Sequence, residues 1–373
     1  MAVPFIDLRR FEPDFLSRWA EISAKVAANT MFVGGPEGAR LEERLMERTG
    51  AAAAVGCANG TDALQLTLRA AGVGPGDVVV LPDSTFWATF EAVVNVGARP
   101  VTVDIDLDDL AMDFDLYRQA VAEYRPKAAF LVHLYGWGSA RLDDFRAFSR
   151  ESGVALIEDG AQAFDVLWRG ESIYKDAYMS TCSFYPAKVL GSCGDAGAVF
   201  CSTEELGTTV RQLSNHGRTS HYGHGLVGWN SRMGGYDAAF LNLSLDYIDA
   251  RIASRRRAAA QYRDRLAAMG VRTVGPPDGY TENGYLNVTL HDPSDRPAIE
   301  AVLKERGIGF GNVYPGAMSK QPGAAQYLAG QVGGEKAEWL SKAVLNLPLF
   351  AYMKDEEVEE VLEALGAALG AKA

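Results

Sequence analysis

Apolar runs and amphipathic stretches alternate along the first two-thirds of the chain. AAAAVGCA (51–58) reads as a buried strand that ends at Asn59-Gly60-Thr61. Leu64, Leu66, Leu68 and surrounding alanines then keep a helical pattern from Asp62 to Ala71. DVVVLPD, RPVTVDID, AAFLVHLYG and VALIEDGA are four further strands, each rich in Val, Ile or Leu and closed by a turn or a polar residue. Helices are expected between them, over Ser84–Val96, Asp113–Glu123 and Arg141–Glu151. This repetition predicts an α/β fold, a mostly parallel sheet flanked by helices on both faces.

The texture changes after about residue 240. Leu241–Met269, rich in Arg, Ala and Leu without a strong breaker, predicts one long helix leaving the first domain. GPPDGYTENG signals a loop. YLNVTL, the apolar GIGFGNVY and an acidic helix over Glu356–Leu369 then suggest a second unit. Residues 1–245 are therefore expected to form a large α/β domain that includes the N-terminal segment. Residues 246–373 should form a smaller C-terminal α/β domain.

Composition narrows the function classes. The 373 residues are 48% hydrophobic and 23% charged, a globular balance. A formal net charge of −12 argues against nucleic-acid and anionic-membrane partners, which need clustered Lys and Arg. Cys57, Cys182, Cys193 and Cys201 lack CxxC spacing and read as reduced thiols of a cytoplasmic protein. No signal-peptide core or membrane span is expected.

Several chemical-looking motifs have plainer readings. GVGPGD (72–77) follows a helix and precedes a strand, the reverse of a dinucleotide-binding turn. DIDLDDLAMDFD has Asp at 104, 106 and 108, but Asp109 replaces the required glycine and Asp115 the final glutamate of a calcium loop. His216, His221 and His224 lack a carboxylate or thiol to complete a metal set, and no GxSxG elbow occurs.

Ligand sites in open α/β sheets collect at the carboxyl ends of strands. Three polar segments fall there: Asn59-Gly60-Thr61, Glu158-Asp159, and Ser183 to Lys188. Lys188 has no acidic neighbour within four residues, and an amine in apolar surroundings can become nucleophilic toward carbonyls. A carboxylate fixed at Asp159 can pair with a protonated ring nitrogen. The helix opening at Gly60-Thr61 can receive a phosphate, and Phe86 can stack on a ring. Singly, these residues also read as a surface lysine, two helix caps and a core aromatic. Together, in this order on a parallel sheet, they describe a pyridoxal phosphate site.

CANGTDALQL, TFWATFEAV, VHLYG, IEDGAQAF, SFYPAKVLGSCGDAGAVF, NHG, GWNSRM and YPGAMSKQP resemble the DegT/DnrJ/EryC1/StrS sugar aminotransferases, from FIDL at the start to LPLFAYM near the end. The resemblance implies fold type I and a pyridoxal 5'-phosphate cofactor that alternates with pyridoxamine 5'-phosphate. It implies that Lys188 links covalently to the cofactor, Asp159 holds the pyridine nitrogen, Gln162 the ring hydroxyl and Phe86 the ring face. Gly60, Thr61 and Ser183 would bind the phosphate. Asn230 would reach the phosphate of a neighbouring subunit, making the active unit a homodimer.

The substrates implied are L-glutamate, leaving as 2-oxoglutarate, and a nucleotide-linked keto-sugar. Its amino-sugar product would serve polysaccharide (lipopolysaccharide or O-antigen), glycan or antibiotic biosynthesis. FYPAKVLGSCGDAGA resembles enzymes that aminate C3, with C4 amination the competitor. Arg232 could read a sugar carboxylate or diphosphate, or form an interface salt bridge. The resemblance places His216, Tyr314 and Lys320 in the substrate pocket. A lyase on the same scaffold and a non-catalytic, cofactor-binding regulator are the other readings. Lys188 stands where related sugar dehydratases carry histidine. Two departures are Asp165, where the family often has glycine, and the bulky Trp168 after it.

Overall fold

The computed structural model describes residues 2–370. In the first half of the chain, strands β1 (Ala53–Cys57), β2 (Val78–Pro82), β3 (Arg99–Val103), β4 (Ala128–Val132) and β5 (Ala155–Asp159) fall on the five apolar runs. Two short strands, β6 (Leu167–Trp168) and β7 (Glu171–Ser172), precede β8 (Met179–Ser183) and β9 (Gly197–Cys201). Later come β10 (Arg272–Val274), β11 (Tyr280–Thr281), β12 (Val288–Leu290), β13 (Gly330–Val332) and β14 (Val344–Leu345). The main sheet has the order β1-β9-β8-β5-β4-β2-β3-β13, and β9 alone runs against the rest.

Helices α1 (Phe15–Asn29), α2 (Pro36–Thr49), α3 (Gly60–Ala70), α4 (Trp87–Asn95), α5 (Phe114–Tyr124), α6 (Leu142–Ser152) and α7 (Glu204–Ser214) accompany this sheet. The period-two geometry of a strand explains why its runs are apolar without alternation. Along β4, Ala128 and Phe130 enter one core with Leu64 and Phe90, while Ala129 and Leu131 enter another with Tyr117 and Phe145. Both faces are covered, so both must be apolar.

The helix expected over Leu241–Met269 is two helices. α8 (Gly235–Leu245) and α9 (Ile248–Ala268) are separated at Asp246-Tyr247, whose N–H groups bond back to Leu243 and Ser244 in a tight turn. Tertiary pairing fixes the break, since Arg18 of α1 and Arg44 of α2 donate to the Asp246 carboxylate at 2.7 and 2.9 Å. α9 packs with α10 (Arg296–Glu305) and α12 (Asp355–Gly370) around Tyr262, Leu303, Val361 and Leu365. Between these lies α11 (Glu335–Ala343). GIGFGNVY forms no strand and is held by single bridges, Ile308 to Val3 and Gly311 to Asn346. β13, also from this late stretch, adds a parallel edge to the main sheet beside β3. The Asp104, Asp106 and Asp109 carboxylates are occupied in local turns and caps, with Asp104 accepting from the Lys336 and Ala337 N–H groups at the start of α11. Among the described residues, no helix is long and apolar enough to cross a membrane.

Two positions bring distant segments to the carboxyl edge of the sheet. Gly197 sits opposite both Cys57 and Ser183. A Cβ there would lie 2.5 Å from the Asn59 carbonyl and 2.8 Å from the Gly60 nitrogen, so only glycine lets the β1–α3 turn rest on β9. Asp83, buried after β2, accepts from the Ser319 N–H at 2.6 Å and hydroxyl at 2.8 Å. Its carbonyl accepts from Met318, which ties the 318–320 turn to the sheet edge.

Gly197→Ala should destabilise the protein by about 1–3 kcal/mol through overpacking, read as a lower urea midpoint at unchanged slope. An unaltered midpoint would show that the turn can move aside. Burial pushes the Asp83 carboxyl up to about 6, with the Ser319 donors opposing. The folded state therefore holds this proton more tightly than the unfolded chain, and the contribution fades as pH rises through that value. The melting-temperature difference between wild type and Asp83→Asn should shift in the variant's favour between about pH 4 and pH 7. A difference independent of pH would contradict this.

Candidate active site

A cavity of about 420 Å³ opens at the carboxyl ends of β1, β2, β4, β5 and β8. It gathers Gly60, Thr61, Phe86, Asp159, Gln162, Ser183, Lys188 and Tyr314, which are spread over more than 250 positions of sequence. Lys188 is the one lysine or arginine among its described lining residues. The loop that carries it leaves β8 at Ser183 and is pinned by the buried Val189 and Leu190. Its amide donates to Tyr185 O at 2.8 Å. The Lys188 Nζ lies 3.4 Å from the Tyr285 hydroxyl and 5.1 Å from the centre of that ring.

Neighbouring acids at the end of β5 are in opposite electrostatic situations, because alternate side chains leave a strand on opposite faces. Glu158 is buried, but Arg146 grips it through two bonds of 2.7 and 2.9 Å, and His133 Nε2 lies 2.9 Å away. Burial opposes its ionisation, yet Arg146 and His133 hold its carboxyl below the ordinary range. Asp159 faces the cavity, and burial pushes its carboxyl above the ordinary value. Its donors among the described residues are neutral: the Ala161 N–H at 3.1 Å and the Thr89 hydroxyl at 3.0 Å. These donors and the Lys188 charge offset only part of the desolvation. Thr85 supports Thr89 at 2.9 Å. Asp159 is thus a buried carboxylate without a hydrogen-bonded cation of its own.

The start of α3 forms another wall. Asn59 caps the helix by accepting from the Asp62 N–H at 2.8 Å, while Gly60 and Thr61 line the cavity with first-turn amides that have no acceptor within the helix. A Cβ on Gly60 would come within 2.7 Å of the Ser183 side chain, so the missing side chain leaves a cradle. Gln162 accepts from the Tyr135 N–H at 2.6 Å and donates to the Tyr314 hydroxyl at 2.7 Å. Phe86 faces Tyr314 across a centroid distance of 5.6 Å.

These donors suit pyridoxal 5'-phosphate. An amine for its aldehyde, a carboxylate lacking a cation for its ring nitrogen, and helix-start amides for its phosphate share one chamber. Residues that local sequence did not reveal complete it. Thr89 and Thr85 sit inside an apolar helical pattern, and Tyr285 arrives from a loop 97 positions beyond Lys188.

Four of the sequence candidates lie outside the cavity lining. Asn230 bridges Asn215, and Arg232 donates to the Asn230 amide oxygen at 2.7 and 3.0 Å, both on an exposed segment. His216 is exposed on the same excursion of the chain, and Lys320 borders a shallow depression with Gln331 and Glu338. Asp165 and Trp168 also stay outside the lining. Asp165 accepts from Arg48 of α2 at 2.7 Å, and Trp168 packs on Tyr280 with centroids 4.6 Å apart.

UDP-2-acetamido-2-deoxy-3-oxo-D-glucuronate aminotransferase from Pseudomonas aeruginosa is 35% identical to this chain, covering 97% of it and 99% of the relative. dTDP-3-amino-3,4,6-trideoxy-alpha-D-glucose transaminase from Streptomyces venezuelae is 33% identical, covering 97% of this chain and 95% of its own. The crystal structure of NtdA from Bacillus subtilis with bound cofactor PMP matches with a TM-score of 0.91 at 27% identity, over 99% of this chain and 85% of that one. The family model for these enzymes aligns with residues 17–366, and the chain belongs to the DegT/DnrJ/EryC1/StrS aminotransferase family.

Proposed function

We propose that this protein is a pyridoxal phosphate-dependent aminotransferase that moves the amino group of L-glutamate to the C3 keto group of a nucleotide-linked sugar. The observation that carries this reading is the convergence of Lys188 Nζ, the Asp159 carboxylate and the α3 N-terminus on one cavity. C3 is favoured because the two relatives carry that position in their names on different nucleotides, UDP and dTDP. The product is an amino-sugar for cytoplasmic stages of polysaccharide, glycan or antibiotic assembly.

When bound, the cofactor supplies an aldehyde that exchanges amino groups and a ring that accepts electron density from the reacting carbon. The protein's own groups do the rest. Asp159 holds a proton on the ring nitrogen, since a cation there relieves the carboxylate's burial. Lys188 Nζ takes the proton from the carbon of glutamate and later returns a proton to the sugar carbon. Glutamate leaves as 2-oxoglutarate and the ketone becomes an amine, so amino groups balance over the two halves. Gly60, Thr61 and Ser183 bind the phosphate, Gln162 orients the ring hydroxyl, and Phe86 covers the ring face.

The working unit is a homodimer in this reading. Among the described residues, the phosphate end offers only neutral donors from its own chain, while Asn230 and Arg232 stand exposed away from it. Tyr185 and Phe86 at the cavity are each 55% exposed, and Tyr222 on the excursion bearing His216 is 87% exposed, surfaces that a second copy would cover. Arg232 of one chain would then serve the sugar site of the other, with His216, Tyr314 and Lys320 at its margins.

Lys188→Ala should retain the fold but form no 2-oxoglutarate from glutamate, and Asp159→Asn should lower that half-reaction by about 10²–10³-fold. Wild-type turnover by Lys188→Ala would refute its role. In a panel of UDP- and dTDP-linked keto-sugars followed by mass spectrometry, 3-keto substrates should be aminated faster than 4-keto ones. The reverse order would contradict the C3 assignment.

A further inference from the structure

Resting on the aminotransferase reading, we infer that Tyr285 is a positioning residue for the Lys188 amine, receiving one of its N–H groups whenever the amine is free of the cofactor. A lysine that alternates between a covalent link and proton transfer must be held in register at the end of a flexible four-carbon stem. Among the described residues, Lys188 Nζ donates a hydrogen bond to the Tyr285 hydroxyl at 3.4 Å, with the centre of that ring 5.1 Å from the same nitrogen. Oxygen and ring thus constrain the amine from one side and leave its other positions directed to the cavity.

The tyrosine is itself firmly placed. Its N–H donates to Asn283 Oδ1 at 3.0 Å, and Asn283 Nδ2 donates to the carbonyls of Gln162 and Phe164, both at 2.9 Å. Asn283 is fully buried and lashes the Tyr285 loop to the segment that follows Asp159. From below, the buried Arg255 of α9 donates to the carbonyls of Gly284 and Leu349 at 3.4 and 3.3 Å. Arg255 forms no ion pair among the described residues, and burial pulls its guanidinium down to about 10. Its place under the loop is therefore structural. The three groups needed for proton transfer (amine, ring-nitrogen carboxylate and amine support) share one hydrogen-bonded framework.

The hydroxyl changes no protonation state in this scheme; it orients Nζ. Removing it should slow the proton-transfer step without weakening substrate binding. In cofactor-loaded Tyr285→Phe, the absorbance of Lys188-linked cofactor should match wild type. Its single-turnover rate with glutamate should fall about tenfold to hundredfold at unchanged half-saturating glutamate. Cofactor-free Tyr285→Phe should also capture added pyridoxal phosphate more slowly, because the free amine is less ordered. Tyr285→Leu, which loses the ring as well, should be slower than Tyr285→Phe in both measurements. An unchanged rate in Tyr285→Phe, or a loss confined to half-saturating glutamate, would overturn the inference. Wild-type protein without cofactor linked at residue 188 would instead refute the functional reading, and this inference with it.

Discussion

A carboxylate enclosed by protein and given only neutral donors is an unfinished ion pair. Removing one partner from a buried pair costs about 3–5 kcal/mol, and because burial pushes the Asp159 carboxyl above its ordinary value, a cation brought to it would favour its charged form. The adjacent Glu158 shows what this fold does with a carboxylate whose role is structural, clasping it with Arg146 and His133. Asp159, one residue later and on the other face, has Thr89 and the Ala161 amide. In the proposed function a protonated ring nitrogen would supply the missing charge, and Lys188, Gln162 and the start of α3 line the same chamber.

The sheet makes the arrangement rigid. β5 lies between β4 and β8, so Asp159 projects from the middle of a strand array buried on both faces. Lys188 hangs from the loop after β8, and the α3 start is pressed onto β9 through the space left at Gly197. Asp83 and Asn283 then bind two later segments to the same edge, those bearing Lys320 and Tyr285. The groups proposed to bind the cofactor therefore sit on strand ends and a helix start, whereas those proposed for the substrate sit on loops. Such a division suits an enzyme whose chemistry is constant and whose sugar can vary.

Much of this was legible in local sequence because its cause is local. The five apolar runs became β1 to β5, and the Asn59 cap, Asp159 and Lys188 follow from strand ends and a helix start. What stayed hidden depends on contacts distant in sequence. The break at Asp246 arises from arginines more than 200 positions away. β13 carries no strand signal beyond three residues and finds its place because the edge of β3 is open to it. Asp83 closes the strand run DVVVLPD and Tyr285 opens YLNVTL, and nothing near either in sequence announces Ser319 or Lys188. Asn230 follows from family resemblance and Arg232 from its place beside it and the fit of its fork to anions, and a single chain leaves both outside the cavity lining.

In the proposed reaction the Asp159 carboxylate keeps the cofactor's ring nitrogen protonated. Loading the protein with cofactor labelled with nitrogen-15 in the ring, and recording its chemical shift across neutral pH, reads that proton directly. The expected result is a pyridinium shift in wild type that moves toward that of a neutral pyridine in Asp159→Asn. A neutral ring nitrogen in the wild-type protein would contradict it.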